Sequence, residues 1–110
     1  MQTPSCNLEE GPVVLVVARG ASAAAMRRTV LEGIAGRPRD VVLDLLSVTS
    51  MTNPGLAVLV GTKARQQARR RRLTLVFDPN SATADALSRS GLRGSFTTAA
   101  TVATAQAMGP

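Results

Sequence analysis

Histidine, tryptophan and tyrosine are absent from the 110 residues, cysteine occurs once and phenylalanine twice. Each absence excludes a class of chemistry. A lone Cys6 cannot close a disulfide within the chain, and without histidine the usual zinc constellations lack ligands. Phe77 and Phe96 alone cannot build the aromatic platform on which single-stranded bases stack. General acid–base or nucleophilic catalysis has no imidazole to use, and no cofactor loop stands in for it, so the chain is read as no enzyme and no cofactor is expected. No apolar run approaches the roughly 20 residues that cross a bilayer, and the start Met1-Gln2-Thr3-Pro4-Ser5 lacks the basic-then-apolar order of a secretory signal. A cytoplasmic location is the expectation. Acidic residues are the scarcer sign, 7 against 13 Lys plus Arg, for a net charge of +6 that favours anionic surfaces without choosing among them.

What is present is enough for one domain spanning residues 1–110. Hydrophobic residues make up 45% of the chain, so the core must come from Val, Leu, Ile, Ala and Met. The β-branched run Val13–Ala18, bounded by Gly11-Pro12 and Arg19-Gly20, reads as a strand buried on both faces. Residues 3–9 are the candidate for a short antiparallel edge strand before it. From Ser22 the period changes: Ala23, Met26, Val30, Leu31 and Ile34 recur at helical spacing, with Arg27, Arg28 and Glu32 opposite, until Gly36 and Pro38. Val41–Leu46 is a second buried strand. Asn53-Pro54 then reads as a cap and first helical residue, opening a helix through Leu56, Leu59, Val60 and Ala64 to the basic end Arg69–Arg72. Leu73–Phe77 is the next strand, and Asn80 or Ser81 caps a helix that stops at Ser90-Gly91. An extended piece near Phe96 and a small helix at Thr101–Ala107 complete the order. Strands alternating with helices imply parallel pairing through crossovers.

Several strings in this order resemble the STAS domain of bacterial anti-sigma factor antagonists. Val41-Val42-Leu43-Asp44-Leu45 is similar to the family's apolar strand with one Asp, Val48-Thr49 follows, and Gly55-Leu56-Ala57-Val58-Leu59 opens the central helix. Leu73-Thr74-Leu75-Val76 is the next strand, and Leu87-Ser88-Arg89-Ser90-Gly91-Leu92 looks like the family's Leu-x-x-Ser-Gly-Leu tail, with Phe96 four residues on. The resemblance implies an α/β, STAS-like fold with a four- to five-stranded mixed sheet and helices mainly on one face. It also implies transcriptional, stress-response regulation through binding an anti-sigma factor that is a histidine-kinase-like serine kinase. An alternative within the same resemblance is an accessory domain of a lipid or anion transport system that binds an anionic ligand or membrane. A homodimer is compatible with either.

One departure stands out. Phosphorylated relatives carry Asp-Ser-Ser-Gly or Asp-Ser-Thr-Gly before the central helix, and the first hydroxyl residue is the acceptor. Here the string is Thr52-Asn53-Pro54-Gly55. Asn53 holds the acceptor position with an amide that has no hydroxyl and does not imitate the charge of a phosphate. Thr52 to Gly55 are therefore the candidate partner surface and degenerate phosphosite, with Ser50 and Thr52 (Thr49 beside them) as shifted acceptors. The bland reading, a cap with a first-turn proline, is compatible with an interface. Arg69, Arg70, Arg71 and Arg72, with Lys63 and Arg65 upstream, form the candidate anion site, against the plain reading of a solvated helix end. Consecutive helical residues point about 100° apart, so such a run makes no groove-reading stripe, and nucleic acid is not the expected partner. Gly55 and Gly61-Thr62-Lys63 have neither the spacing nor the order of a phosphate loop. Asp44 and Asp78 are expected to support a loop and a turn, and Cys6, with no basic neighbour, no special reactivity.

Overall fold

The structure is a computed structural model in which residues 11–107 are described. Four strands form one sheet in the order β1-β2-β3-β4: β1 Val13–Val16, β2 Val41–Asp44, β3 Leu73–Val76 and β4 Thr97–Ala99. All three pairings are parallel, with Val13 opposite Val41, Val41 opposite Leu73, and Thr74 opposite Thr97. Parallel neighbours need crossovers. These are α1 Ala23–Gly33, α2 Asn53–Ala68 and α3 Ala82–Arg89, the last followed by a 3-10 turn at Arg93–Ser95. A short α4, Val102–Ala107, ends the described chain. The antiparallel strand expected at 3–9, like Cys6, lies outside the described residues.

Alternation along the strands divides the core in two. Val41, Leu43 and Leu45 of β2 and its exit, and Leu73, Leu75 and Phe77 around β3, face Met26, Val30 and Ile34 of α1, Leu56 and Leu59 of α2, and Ala84, Ala86 and Leu87 of α3. The intervening Val42 and Val76 face Ala105, Val102 and Ala99 on the α4 side. Three helices on one face and one on the other match the expected layering. β2 and β3 are inner strands and read as nearly continuous apolar runs because both faces are covered.

The expectation of full burial fails for β1. Its residues are half-buried and Val16 is 58% exposed: β1 is an edge strand among the described residues, with Val14 only partly covered on the α4 side. The helix caps follow simple chemistry: Ser22 Oγ accepts from the Ala25 N–H and Ser81 Oγ from the Ala84 N–H, so Ser81 and not Asn80 caps α3. Each phenylalanine carries a cation over its ring, Lys63 above Phe96 at 5.4 Å and Arg93 above Phe77 at 5.6 Å.

The buried stripe of α2 also differs from the apolar spacing in the sequence. Val60 is 44% exposed and Ala64 faces outward, whereas Thr62 and Gln66 are buried. Both polar side chains have bonding reasons to be inside. Thr62 Oγ1 donates to the Val58 carbonyl at 2.8 Å, and Gln66 Nε2 donates to the carbonyls of Arg39 at 2.8 Å and Arg72 at 3.0 Å. One amide thereby joins the entrances of β2 and β3, sharing the Arg72 carbonyl with the Val41 N–H. Replacing the fully buried Leu75 by alanine is expected to cost about 3 kcal/mol, and Val60→Ala less than about 1 kcal/mol, as measured by urea unfolding.

Candidate functional site

The candidate surface begins where β2 leaves the sheet. Leu45 N–H donates to the Val76 carbonyl at 2.8 Å and Val48 N–H to the Leu45 carbonyl at 3.1 Å, which folds the chain back at once. The half-buried Asp44 carboxylate accepts from the Leu46 N–H at 2.9 Å, the loop support expected of it; Asp78 accepts from the Asn80 N–H at 2.8 Å in its own turn. Val48 and Met51 pack against the core, while Leu46, Thr49 and Ser50 remain exposed. No group of three metal-ligating side chains occurs among the described residues.

Thr52, not Asn53, caps α2. Thr52 is extended, with φ −92° and ψ 168°; its Oγ1 accepts from the Gly55 N–H at 3.2 Å and its carbonyl takes the first helical bond, from Leu56 N–H at 2.9 Å. Asn53 is therefore the first helical residue and Pro54 the second, where the missing N–H leaves nothing unpaired. The difference of one residue has a plain cause. The donor that needs a cap is on Gly55, and a hydroxyl three positions earlier reaches it. Gly55 is buried, and a Cβ there would fall 2.8 Å from Met51 Sδ and 3.3 Å from Met26 Cε. Thr52, Asn53 and Pro54 are exposed. Beside them Met51, Asn53, Leu56, Ala86, Arg89 and Ser90 line a shallow hollow of about 280 Å³ between α2 and α3.

The arginine run does not continue α2. The helix ends at Ala68, and Arg70 takes a left-handed conformation, φ 59°, that lets Arg70 N–H bond the Gln67 carbonyl at 3.0 Å and Arg71 N–H the Gln66 carbonyl at 2.8 Å. This pair of bonds is a Schellman closure with arginine where glycine is usual. The four side chains consequently serve different ends. Arg69 turns to α1, donating to the Ile34 carbonyl at 2.8 Å and the Gly36 carbonyl at 2.6 Å. The Arg72 N–H donates to Asp40 Oδ1 at 2.9 Å, and Arg71 and Arg72 line a hollow of about 390 Å³ shared with Lys63, Ser95 and Phe96. Arg70 is exposed. Asn53 and this run sit at opposite ends of a 16-residue helix, about 24 Å apart at 1.5 Å per residue. They do not form one site. Sequence reasoning missed the tie made by Arg69, and also the close approach at Gly55; a glycine at the third position of a helix was the available sign of the latter.

Residues 16–102 match the family described as Mlab, STAS domain. The chain belongs to this STAS family. No curated protein sequence matches it. Among solved structures, a crystal structure of a Thermotoga maritima protein described as a "putative anti-sigma factor antagonist" superposes with a TM-score of 0.67 at 20% identity, covering 84% of this chain and 83% of that one. At that identity the likeness concerns the fold.

Two substitutions test the assignment of the cap. Thr52→Ala should lower the unfolding free energy by about 1 kcal/mol, and Asn53→Ala should change it by less than about 0.5 kcal/mol, in chemical denaturation at neutral pH. Arg70→Gly should raise the denaturation midpoint, since it removes the cost of a side chain in the left-handed region; an unchanged or lower midpoint would count against that closure.

Proposed function

We propose that this chain is a non-enzymatic regulatory docking module of the anti-sigma factor antagonist kind. It binds a histidine-kinase-like anti-sigma factor in the cytoplasm through the loop from Ser50 and the first turn of α2, and it is not phosphorylated at the usual place. The observation that carries this reading is the exposed amide of Asn53 at the first position of α2. A phosphate at such a helix start is welcomed locally by free N–H groups while it loads a partner surface with charge and bulk. The amide removes that step, so the surface keeps one charge state whatever kinase is present. Thr52 is a poor substitute acceptor, because its oxygen already receives the Gly55 N–H and esterifying it would disturb the cap.

The matching family bears the name Mlab rather than that of the antagonists. A second reading, an accessory domain of a lipid or anion transport system, is supported by the net charge of +6, which suits an anionic headgroup. In that case acidic vesicles should retain the protein on flotation at low salt and release it at high salt. No helix among the described residues is long and apolar enough to cross a membrane.

The docking reading predicts that the wild-type chain, incubated with its cognate anti-sigma kinase and radiolabelled ATP, forms a complex and takes up no label. Asn53→Ser should take up label at residue 53 and then lose affinity for the kinase. Label on the wild-type chain, or no complex with any such kinase, would overturn the reading.

A further inference from the structure

We propose that the groove between α1 and α2 seats an acidic amphipathic helix of a partner protein. The inference rests on the docking reading above in that it supplies the chemistry of the partner's segment. The groove encloses about 470 Å³ and runs from Pro54 at the start of α2 to Arg65, about 16 Å at the helical rise. That is the length of about three helical turns. The half-buried Leu31 and Val58 provide its larger apolar surfaces over the buried Val30, Ala57 and Gly61 its small ones, and Arg27 and Arg65 are the charged residues among those lining it. Among the described residues no carboxylate lines it, and α1 and α2 together carry Arg27, Arg28, Lys63 and Arg65 against Glu32.

Gly61 points the same way. Glycine weakens an exposed helix interior relative to alanine, yet a Cβ at position 61 would meet nothing within 4 Å. The described chain itself has no use for the room. An apolar ridge approaching from outside does, since it can come close to bare backbone there, and carboxylates beside that ridge would meet Arg27 and Arg65. A second copy of this chain fits less well, because a net charge of +6 brings like charge to the same arginines. A bilayer surface reaches the rim of such a groove, whereas a helix can enter it.

The test uses the full chain labelled with nitrogen-15. It is titrated with a 16-residue amphipathic peptide carrying leucines on one face and flanking glutamates, with a matched peptide carrying lysine for glutamate, and with phosphatidylglycerol vesicles. The glutamate peptide should shift the amides of Ala23–Leu31 and Gly55–Arg65, and the lysine peptide should not. Arg27→Glu with Arg65→Glu should weaken the glutamate peptide about tenfold or more, as should added salt. Gly61→Phe should block it, and Ala57→Glu, which leaves the core untouched, serves the same purpose if Gly61→Phe unfolds. No shifts at millimolar peptide, shifts confined elsewhere, equal binding of the lysine peptide, or vesicle binding that the glutamate peptide fails to displace would each overturn the proposal. Kinase binding separates the two readings. A kinase that binds the groove variants as well as it binds the wild-type chain removes this inference alone. A peptide that seats in the groove of a chain no such kinase binds removes the docking reading alone.

Discussion

The contact at Gly55 sets the position of everything around it. With a hydrogen where other residues have a Cβ, the first turn of α2 lies directly against the Met51 sulfur and the Met26 methyl of α1. Any larger residue would have to push one of them aside. The same turn is also held by the Thr52 hydroxyl on the Gly55 N–H. Pinned at both points, α2 can begin only at Asn53, and Asn53 and Pro54 have nowhere to face except outward. The exposed amide of the proposed docking surface is thus a consequence of packing one residue pair behind it.

A second set of constraints acts at the far end of the helix. Gln66 and Arg69, both polar, bond the carbonyls of Arg39, Arg72, Ile34 and Gly36, which belong to the entries of β2 and β3 and to the end of α1. Apolar side chains could fill the same volume but would give up these four bonds, leaving the Arg72 carbonyl with the Val41 N–H alone. α2 is therefore fixed by close packing at its N-terminal end and by hydrogen bonds at its C-terminal end. The stretch between them, with Ala57 and Gly61 outward, is what gives the α1–α2 groove its open side.

Most of this architecture was legible in the residues. The buried strands β2 and β3 announce themselves as short apolar runs, and α1 shows a clean helical period from Met26 to Ile34. The resemblance to the STAS family, which the family match bears out, lay in the order of short strings such as Val41–Leu45 and Leu87–Leu92. What was not legible has a common cause. Thr62 is buried with its hydroxyl turned back on the Val58 carbonyl of its own helix, and Gln66 with its amide on carbonyls from the entries of β2 and β3, so α2 reads as less one-sided than it is. Arg69–Arg72 looks like one basic helix end, but Arg70 reverses the chain and each neighbour is directed elsewhere. The cap moved from Asn53 to Thr52 because the deciding donor, the Gly55 N–H, is set by that close packing and not by propensity. Half-burial of β1 follows from its place at the edge of the described sheet, which a local pattern does not encode.

The central claim is that the surface at the start of α2 docks a partner without a covalent switch. Intact-mass analysis of the protein isolated from growing cells, both free and in the complexes it forms there, tests this most directly. The account predicts a single unphosphorylated mass in both fractions. A species heavier by one phosphoryl group, carried on Ser50 or Thr52 and confined to one of the two fractions, would contradict it.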